Sequence, residues 1–372
     1  MEFFKKYVSN TIAGSGNQKL FIMDENEIRT GRVFYKIAHQ GKYNYSLLFS
    51  NITDSTYADG SFSHKNMICE PWKIIEARIA RVSKDTSFEN FTDEKVADEI
   101  NGKIDGFKTL TFSGKVEKDV APGEFFNSDE IEMEFEKGDY LCLEITFSGT
   151  VLSCHIESIL PVFVKGENSW RWDREIPFAG MIGCDRKVKA RVGFLGDSIT
   201  QGIGVQYNSY LHWNALLSEK LGGDYAYWNL GIGYARAEDM ATNGAWMYKA
   251  RNNDIAFVCL GANDLIQGAS AEKIITELDK VLDILLKQNI KKIIWQTIPP
   301  LGYEDEKRVI WETVNDHIKT NIAKKVDLVF ECSKILGESE DKPHINKYDI
   351  HPNEEGCILW AEALYEAVKD VV

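Results

Sequence analysis

The sequence is poor in the features that mark several large protein classes. None of its apolar runs reaches about 18 residues, the length a membrane-spanning helix needs. Residues 1–20 lack the apolar stretch of about 7–15 residues that a secretory signal carries. Seven cysteines stand at 69, 142, 154, 184, 259, 332 and 357, an odd number with no C-x-x-C pair, which argues against a zinc cage and a disulfide framework. Cys259 lies in the apolar run 255–260 and reads as a small buried hydrophobe. No lysine follows Gly202, as the phosphate loop G-x-x-x-x-G-K-S/T requires, and Gly202-Ile203-Gly204 and Gly231-Ile232-Gly233 both lack the third glycine of a dinucleotide fingerprint. Positive charge is also in deficit: 43 Lys and Arg against 57 Asp and Glu give a net charge of −14. That balance, with no basic run, argues against nucleic acid as a partner. The absences together predict a cytoplasmic protein with no cofactor, no metal and no membrane partner.

What is present is ordinary globular composition, with 44% hydrophobic and 27% charged residues, so the 372-residue chain is long enough for two or three packed domains. Its two halves differ in hydrophobic period. Up to about residue 185 the pattern alternates. Glu130–Glu136 alternates strictly, Gly138-Asp139 reads as a turn, and Tyr140–Phe147 follows, so the segment predicts a hairpin. Further strands are expected at Tyr45–Ile52, Trp72–Val82, Leu110–Val116 and Ile159–Val164, with one helix at Asp93–Ile104 in a charged insertion. Many short strands with Gly and Asn turns predict an antiparallel β-sandwich or jelly roll over 1–185.

From about residue 188 strands and helices alternate. Strands are expected at Arg191–Leu195, Tyr225–Leu230, Ile255–Leu260, Lys292–Thr297 and Leu328–Phe330. Helices are expected at Ser209–Leu221, Ala237–Lys249, Ala271–Gln288, Glu304–Lys324 and Glu354–Val371. Parallel strands need crossovers, and these helices supply them, so 186–372 predicts a doubly wound α/β domain. Such domains bind ligands beyond the carboxyl ends of their strands. Four blocks fall there: Gly196-Asp197-Ser198 after the first strand, Asn229-Leu230-Gly231-Ile232-Gly233 at the second, Gly261-Ala262-Asn263-Asp264 at the third, and Asp349-Ile350-His351-Pro352 before the last helix.

In order and spacing these blocks resemble the GDSL/SGNH hydrolases, serine esterases on a flavodoxin-like α/β fold whose named residues are Ser, Gly, Asn and His. The resemblance covers about 190–372. The first half more faintly resembles the β-sandwich of two-domain members that include carbohydrate esterases, through Leu47–Asn51, Phe112–Gly114, Pro122-Gly123 and Lys137–Asp139. The resemblance implies Ser198 as nucleophile, His351 as base and Asp349 as the acid that orients it. The Ser198 N–H, the Gly233 N–H and the Asn263 side chain would hold the oxyanion. Two departures stand out. The family's acid lies three residues before its histidine, where this chain has Tyr348, so the acid role falls to Asp349 or to a backbone carbonyl in a Ser–His dyad. The family's oxyanion glycine lies five residues after the asparagine, where this chain has Tyr234, so Gly233 is assigned and Gly231 is the alternative.

Tyr207 and Tyr234, and more distantly Tyr303, sit on loops near strand ends and are the expected substrate contacts. His39, His64, His155, His212, His317 and His344 show no ligand spacing and read as surface or packing residues, although His212 could line the cleft. Trp213, Trp246, Trp295 and Trp360 read as core. The expected activity is hydrolysis of a small acyl ester, acetyl above all, on a small-molecule or oligosaccharide substrate. A lysophospholipase or thioesterase of the same superfamily, and a decayed carbohydrate-binding protein, remain the alternatives.

Overall fold

The computed structural model describes residues 1–55, 65–337 and 351–372. The chain divides into two units: Met1–Thr53 with Asn66–Lys187, and Asp54–Lys65 with Val188–Val372. The change of hydrophobic period near residue 185 therefore coincides with one boundary. The assignment of Asp54–Lys65 to the second unit has no counterpart in the period of the sequence.

The first unit is built of antiparallel sheets. In one, Gly41–Ser50 lies between Met181–Cys184 on one side and Phe125–Asn127 and Ile131–Phe135 on the other. In the second, Tyr140–Gly149 lies between Ile28–Lys36 and Trp72–Val82. The expected hairpin does not form: Ile131–Phe135 pairs with Gly41–Ser50, and Tyr140–Gly149 joins the other sheet. The reason lies in burial. Ile131–Phe135 keeps one wet face, whereas Leu141, Cys142, Leu143 and Ile145 are fully buried, as a central strand requires. Asp139 ties the corner between sheets, accepting the backbone N–H groups of Glu136 and Lys84 at 2.8 and 3.0 Å and Arg81 Nε at 2.6 Å. Nor does Leu110–Val116 form a strand; short strands at Lys108–Thr109 and Lys118–Val120 flank it.

One charge is built into the central strand. Glu144 pairs with buried Arg32 at 2.7 Å and with Arg78. The helix Glu94–Gly102, capped by Asp93, covers this cluster, and its Asn101 carbonyl accepts Arg32 Nη1 at 2.8 Å. The Arg32 guanidinium also lies 4.3 Å from the Trp170 ring centroid, a cation–π contact that shields the pair from water.

The second unit is a five-stranded parallel sheet. Its strands are β1 (Ala190–Gly196), β2 (Tyr225–Gly231), β3 (Ile255–Cys259), β4 (Lys292–Gln296) and β5 (Leu328–Phe330). Their order is 2-1-3-4-5, the flavodoxin-like arrangement, whose switch point lies between β1 and β3. β2 and β3 are buried along their whole length, as strands covered on both faces must be. The helices are α1 (Ser198–Gln201), α2 (Trp213–Leu221), α3 (Ala237–Ala241), α4 (Ala245–Ala250), α5 (Ala262–Ile266), α6 (Ala271–Leu286), α7 (Asp305–Thr320), α8 (Ser333–Leu336) and α9 (Glu354–Val368). The single helix expected over 237–249 is two. Thr242 Oγ1 donates to the Asp239 carbonyl at 2.7 Å, Asn243 turns left-handed at φ 55°, and Gly244 starts α4. In α6, Ile274, Leu278, Val281, Leu282 and Leu285 form the buried stripe. α2 and α9 pack together through Trp213 and Trp360, stacked with centroids 5.3 Å apart. Trp246 and Trp295 are also buried, as are all seven cysteines.

Candidate active site

β1 delivers Gly196 and Asp197 to the switch point, and α1 begins at once with Ser198. The turn is possible only because Gly196 has no side chain. A Cβ there would lie 2.0 Å from Thr200 Oγ1 and 2.7 Å from the Cys259 carbonyl oxygen. Asp197 Oδ1 accepts the Ile199 N–H at 3.0 Å, capping α1. Burial lifts the Asp197 carboxyl to about 7, and nearby Asp264 adds to the rise. Ser198 itself is half-buried, and its N–H is one of those a helix start leaves without an intrahelical acceptor.

The serine hydroxyl and the His351 imidazole lie 2.7 Å apart, Oγ to Nε2. These residues are 153 positions apart, and α9, capped by Asn353 accepting the Gly356 N–H at 2.9 Å, carries the histidine end of the contact. Burial pushes the imidazole down to about 4, so it is neutral near pH 7 and able to take a proton. Asp349 lies outside the described residues, as do Tyr348, His64 and His344.

The loop after β2 is held against α1. Asn229 stitches it to α1: its Nδ2 donates to the Thr200 carbonyl at 3.0 Å and its Oδ1 accepts the Gly231 N–H at 2.9 Å. A Cβ on Gly231 would lie 2.2 Å from the Gln201 nitrogen, so only glycine lets α1 approach this closely. The Gly233 N–H, the expected oxyanion donor, instead donates to the Oε1 of buried Gln201 at 2.6 Å. Both glycines named from the sequence thus give their amides to side chains. Tyr234 follows at φ 62°, the left-handed region natural to glycine and strained for a bulky residue, and its side chain is exposed. Asn263, half-buried in the first turn of α5, donates its amide to the Ala235 carbonyl at 3.1 Å. Its neighbour Asp264 accepts the Ala237 N–H at 2.8 Å.

The structure therefore brings Ser198 and His351 into contact and joins Asn263 to the loop that carries Gly233 and Tyr234. Tyr207 is exposed, Tyr303 has a buried hydroxyl, and His212 is fully buried at the start of α2 and does not line the cleft. Gln201 and Asp264, for which the motifs imply no role, also help to fix the loop after β2. Asp264 stands inside a motif block, whereas nothing in the spacing of Gln201 marks its partner in the loop after the neighbouring strand.

No curated protein matches the chain. Among solved structures, a member of the lipolytic protein G-D-S-L family from Veillonella parvula is 20% identical, with a TM-score of 0.42, over 49% of this chain and 99% of its own. A carbohydrate acetylesterase from Sinorhizobium meliloti is 17% identical, with a TM-score of 0.40, over 50% of this chain and 100% of its own. A psychrotrophic esterase from Pseudoalteromonas sp. is 18% identical, with a TM-score of 0.40, over 48% of this chain and 97% of its own. Residues 194–357 match the GDSL-like Lipase/Acylhydrolase family, and the matched span runs from the end of β1 past His351. That matched span contains the Ser198–His351 pair and the switch point of the sheet, so what this chain shares with the GDSL-like Lipase/Acylhydrolase family is the part that carries the site.

Proposed function

We propose that the protein is a serine esterase that removes a small acyl group, acetyl in the first instance, from a carbohydrate. The observation that carries this reading is the 2.7 Å contact between Ser198 Oγ and His351 Nε2 at the switch point of the sheet. A serine hydroxyl is a weak nucleophile until a base takes its proton. In the first step Ser198 Oγ attacks the ester carbonyl carbon while its proton passes to His351 Nε2. The tetrahedral intermediate collapses, and the imidazolium returns the proton to the departing alkoxide. Water then repeats the sequence on the acyl-serine, releasing the carboxylic acid and free Ser198.

The developing oxyanion needs donors set in place beforehand. The Ser198 N–H and the Asn263 amide supply two. The Gly233 N–H, directly before Tyr234 and held by Gln201 in this structure, is the proposed third. Removing one such donor typically costs about 2.7–4 kcal/mol of transition-state stabilisation. Asp349 is the proposed orienting acid for His351 in a triad. The exposed rings of Tyr207 and Tyr234 are the proposed substrate contacts, since aromatic faces suit the apolar faces of sugars.

Ser198→Ala is expected to abolish hydrolysis of p-nitrophenyl acetate with the folded circular-dichroism spectrum intact. Undiminished turnover by that variant would overturn the mechanism. Rates on acetyl, butyryl and octanoyl esters test the acyl group, and a preference for octanoyl would replace the carbohydrate reading with a lipid one.

A further inference from the structure

Among the described residues, three side chains of the α/β unit come from far upstream in the sequence: Asp54, Ser55 and Lys65. All three reach the two helices that follow the β2 loop. Asp54 pairs with Lys249 of α4 at 2.5 Å, and both side chains are at most 2% exposed. Removing one partner of so buried a pair strands the other charge, so this contact fixes the segment strongly. Ser55 Oγ donates to Asp239 Oδ2 of α3 at 3.3 Å. Lys65 Nζ lies 3.1 Å from Glu238 Oε1 and 3.7 Å from Asp239 Oδ1.

Asp239 is the hub of this group. It is buried, and it accepts the Arg236 backbone N–H at 2.8 Å and the Arg236 guanidinium at 3.2 Å. Arg236 follows directly on Ala235, whose carbonyl holds the Asn263 amide, and Tyr234 precedes that. Glu238 sits beside it. Burial works to raise its carboxyl, yet Lys273, Lys65 and Arg236 together hold it down at about 2. The polar contacts of Ser55 and Lys65 thus end at Glu238 and Asp239, three and four positions past Ala235, whose carbonyl holds the Asn263 amide.

We infer that Ser55 and Lys65 are positioning residues for ester hydrolysis: acting through Asp239 and Arg236, they hold the Tyr234–Ala235 turn and the Asn263 amide where the oxyanion forms. The inference rests on the esterase reading above. Neither residue touches substrate. Their contribution is to keep the donors in place before reaction, which is where electrostatic stabilisation of an oxyanion originates. Loss of the brace therefore weakens binding of the tetrahedral state and leaves ground-state binding alone.

The test compares wild type, Lys65→Ala, Ser55→Ala and Lys65→Arg, with Ser198→Ala as the control for the reaction itself. Two readouts are taken: kcat and KM on p-nitrophenyl acetate, and inhibition by trifluoroacetone, to whose carbonyl carbon Ser198 Oγ adds while the proton passes to His351, leaving an oxyanion. Lys65→Ala should lower kcat by about tenfold with KM unchanged and weaken trifluoroacetone by the same factor. Ser55→Ala, the milder variant, should move both in the same direction by less, and Lys65→Arg should restore most of the loss. Unchanged kcat and inhibition, with or without a lower melting temperature, would overturn the inference and leave the brace a purely structural one. If Ser198→Ala keeps its turnover, the esterase reading itself fails, and this outcome is separately visible.

Discussion

Asp197 and Ser198 are adjacent, yet their environments divide the work between them. The serine reaches His351, while the carboxyl turns inward to cap α1 and is buried. With its folded value raised from 3.8 to about 7, the folded protein binds more protons than the unfolded chain between those values. Its contribution to stability is thus fully present below pH 3.8 and is lost as pH rises through about 7. Asp197→Asn keeps an oxygen for the Ile199 amide and removes the titration. Urea unfolding from acid to neutral pH should show the variant gaining on wild type as pH rises, and parallel profiles would contradict the burial argument. Gly196→Ala is a steric counterpart, because its Cβ meets Thr200 Oγ1 and the Cys259 carbonyl. Overpacking of this kind costs about 1–3 kcal/mol, readable as a lower melting temperature together with slower ester hydrolysis. Ser198, Asn263 and His351 could be named from sequence because each stands in a short block at a strand or helix end. The engagement of Gly233 could not, since it depends on where a glutamine 32 residues upstream sends its side chain.

At the scale of elements, α9 follows His351 directly and is fixed by its core residues. Trp360 is fully buried, stacks on Trp213 and donates Nε1–H to Gln296 Oε1 of β4 at 2.8 Å. Trp360→Ala should therefore cost about 3–5 kcal/mol in denaturant unfolding, and Trp360→Phe much less. The long helices α6, α7 and α9 and the buried strands of the α/β unit were legible because their period shows which face is buried, whereas α1, α5 and α8, four or five residues each, are too short to show one. The first unit was legible as antiparallel β but not in its pairing. Alternation announces a strand without saying which strand it will join, so the turn at Gly138-Asp139 read as a hairpin although its two strands enter different sheets. The break between α3 and α4 had a local signal in Thr242-Asn243-Gly244, which the apolar positions on either side outweighed.

For the whole molecule, two long-range properties stand apart from any motif. One is the incorporation of Asp54, Ser55 and Lys65 into the α/β unit, which rests on partners up to 195 positions away and leaves no periodic trace in the sequence. The other is the net charge of −14. Acyl transfer as proposed consumes no net charge, so this excess does not enter the chemical step, but it sets a repulsive field around the protein for anionic substrates. That field is screened beyond about 8 Å at physiological ionic strength and reaches farther in dilute buffer. The kcat/KM for an anionic acetyl ester such as acetylsalicylate should accordingly rise as salt is raised from about 10 to about 300 mM. The same change should leave neutral p-nitrophenyl acetate nearly flat, because its approach is not steered by charge. Equal slopes for the two esters would mean that the net charge does not act on substrate approach to Ser198.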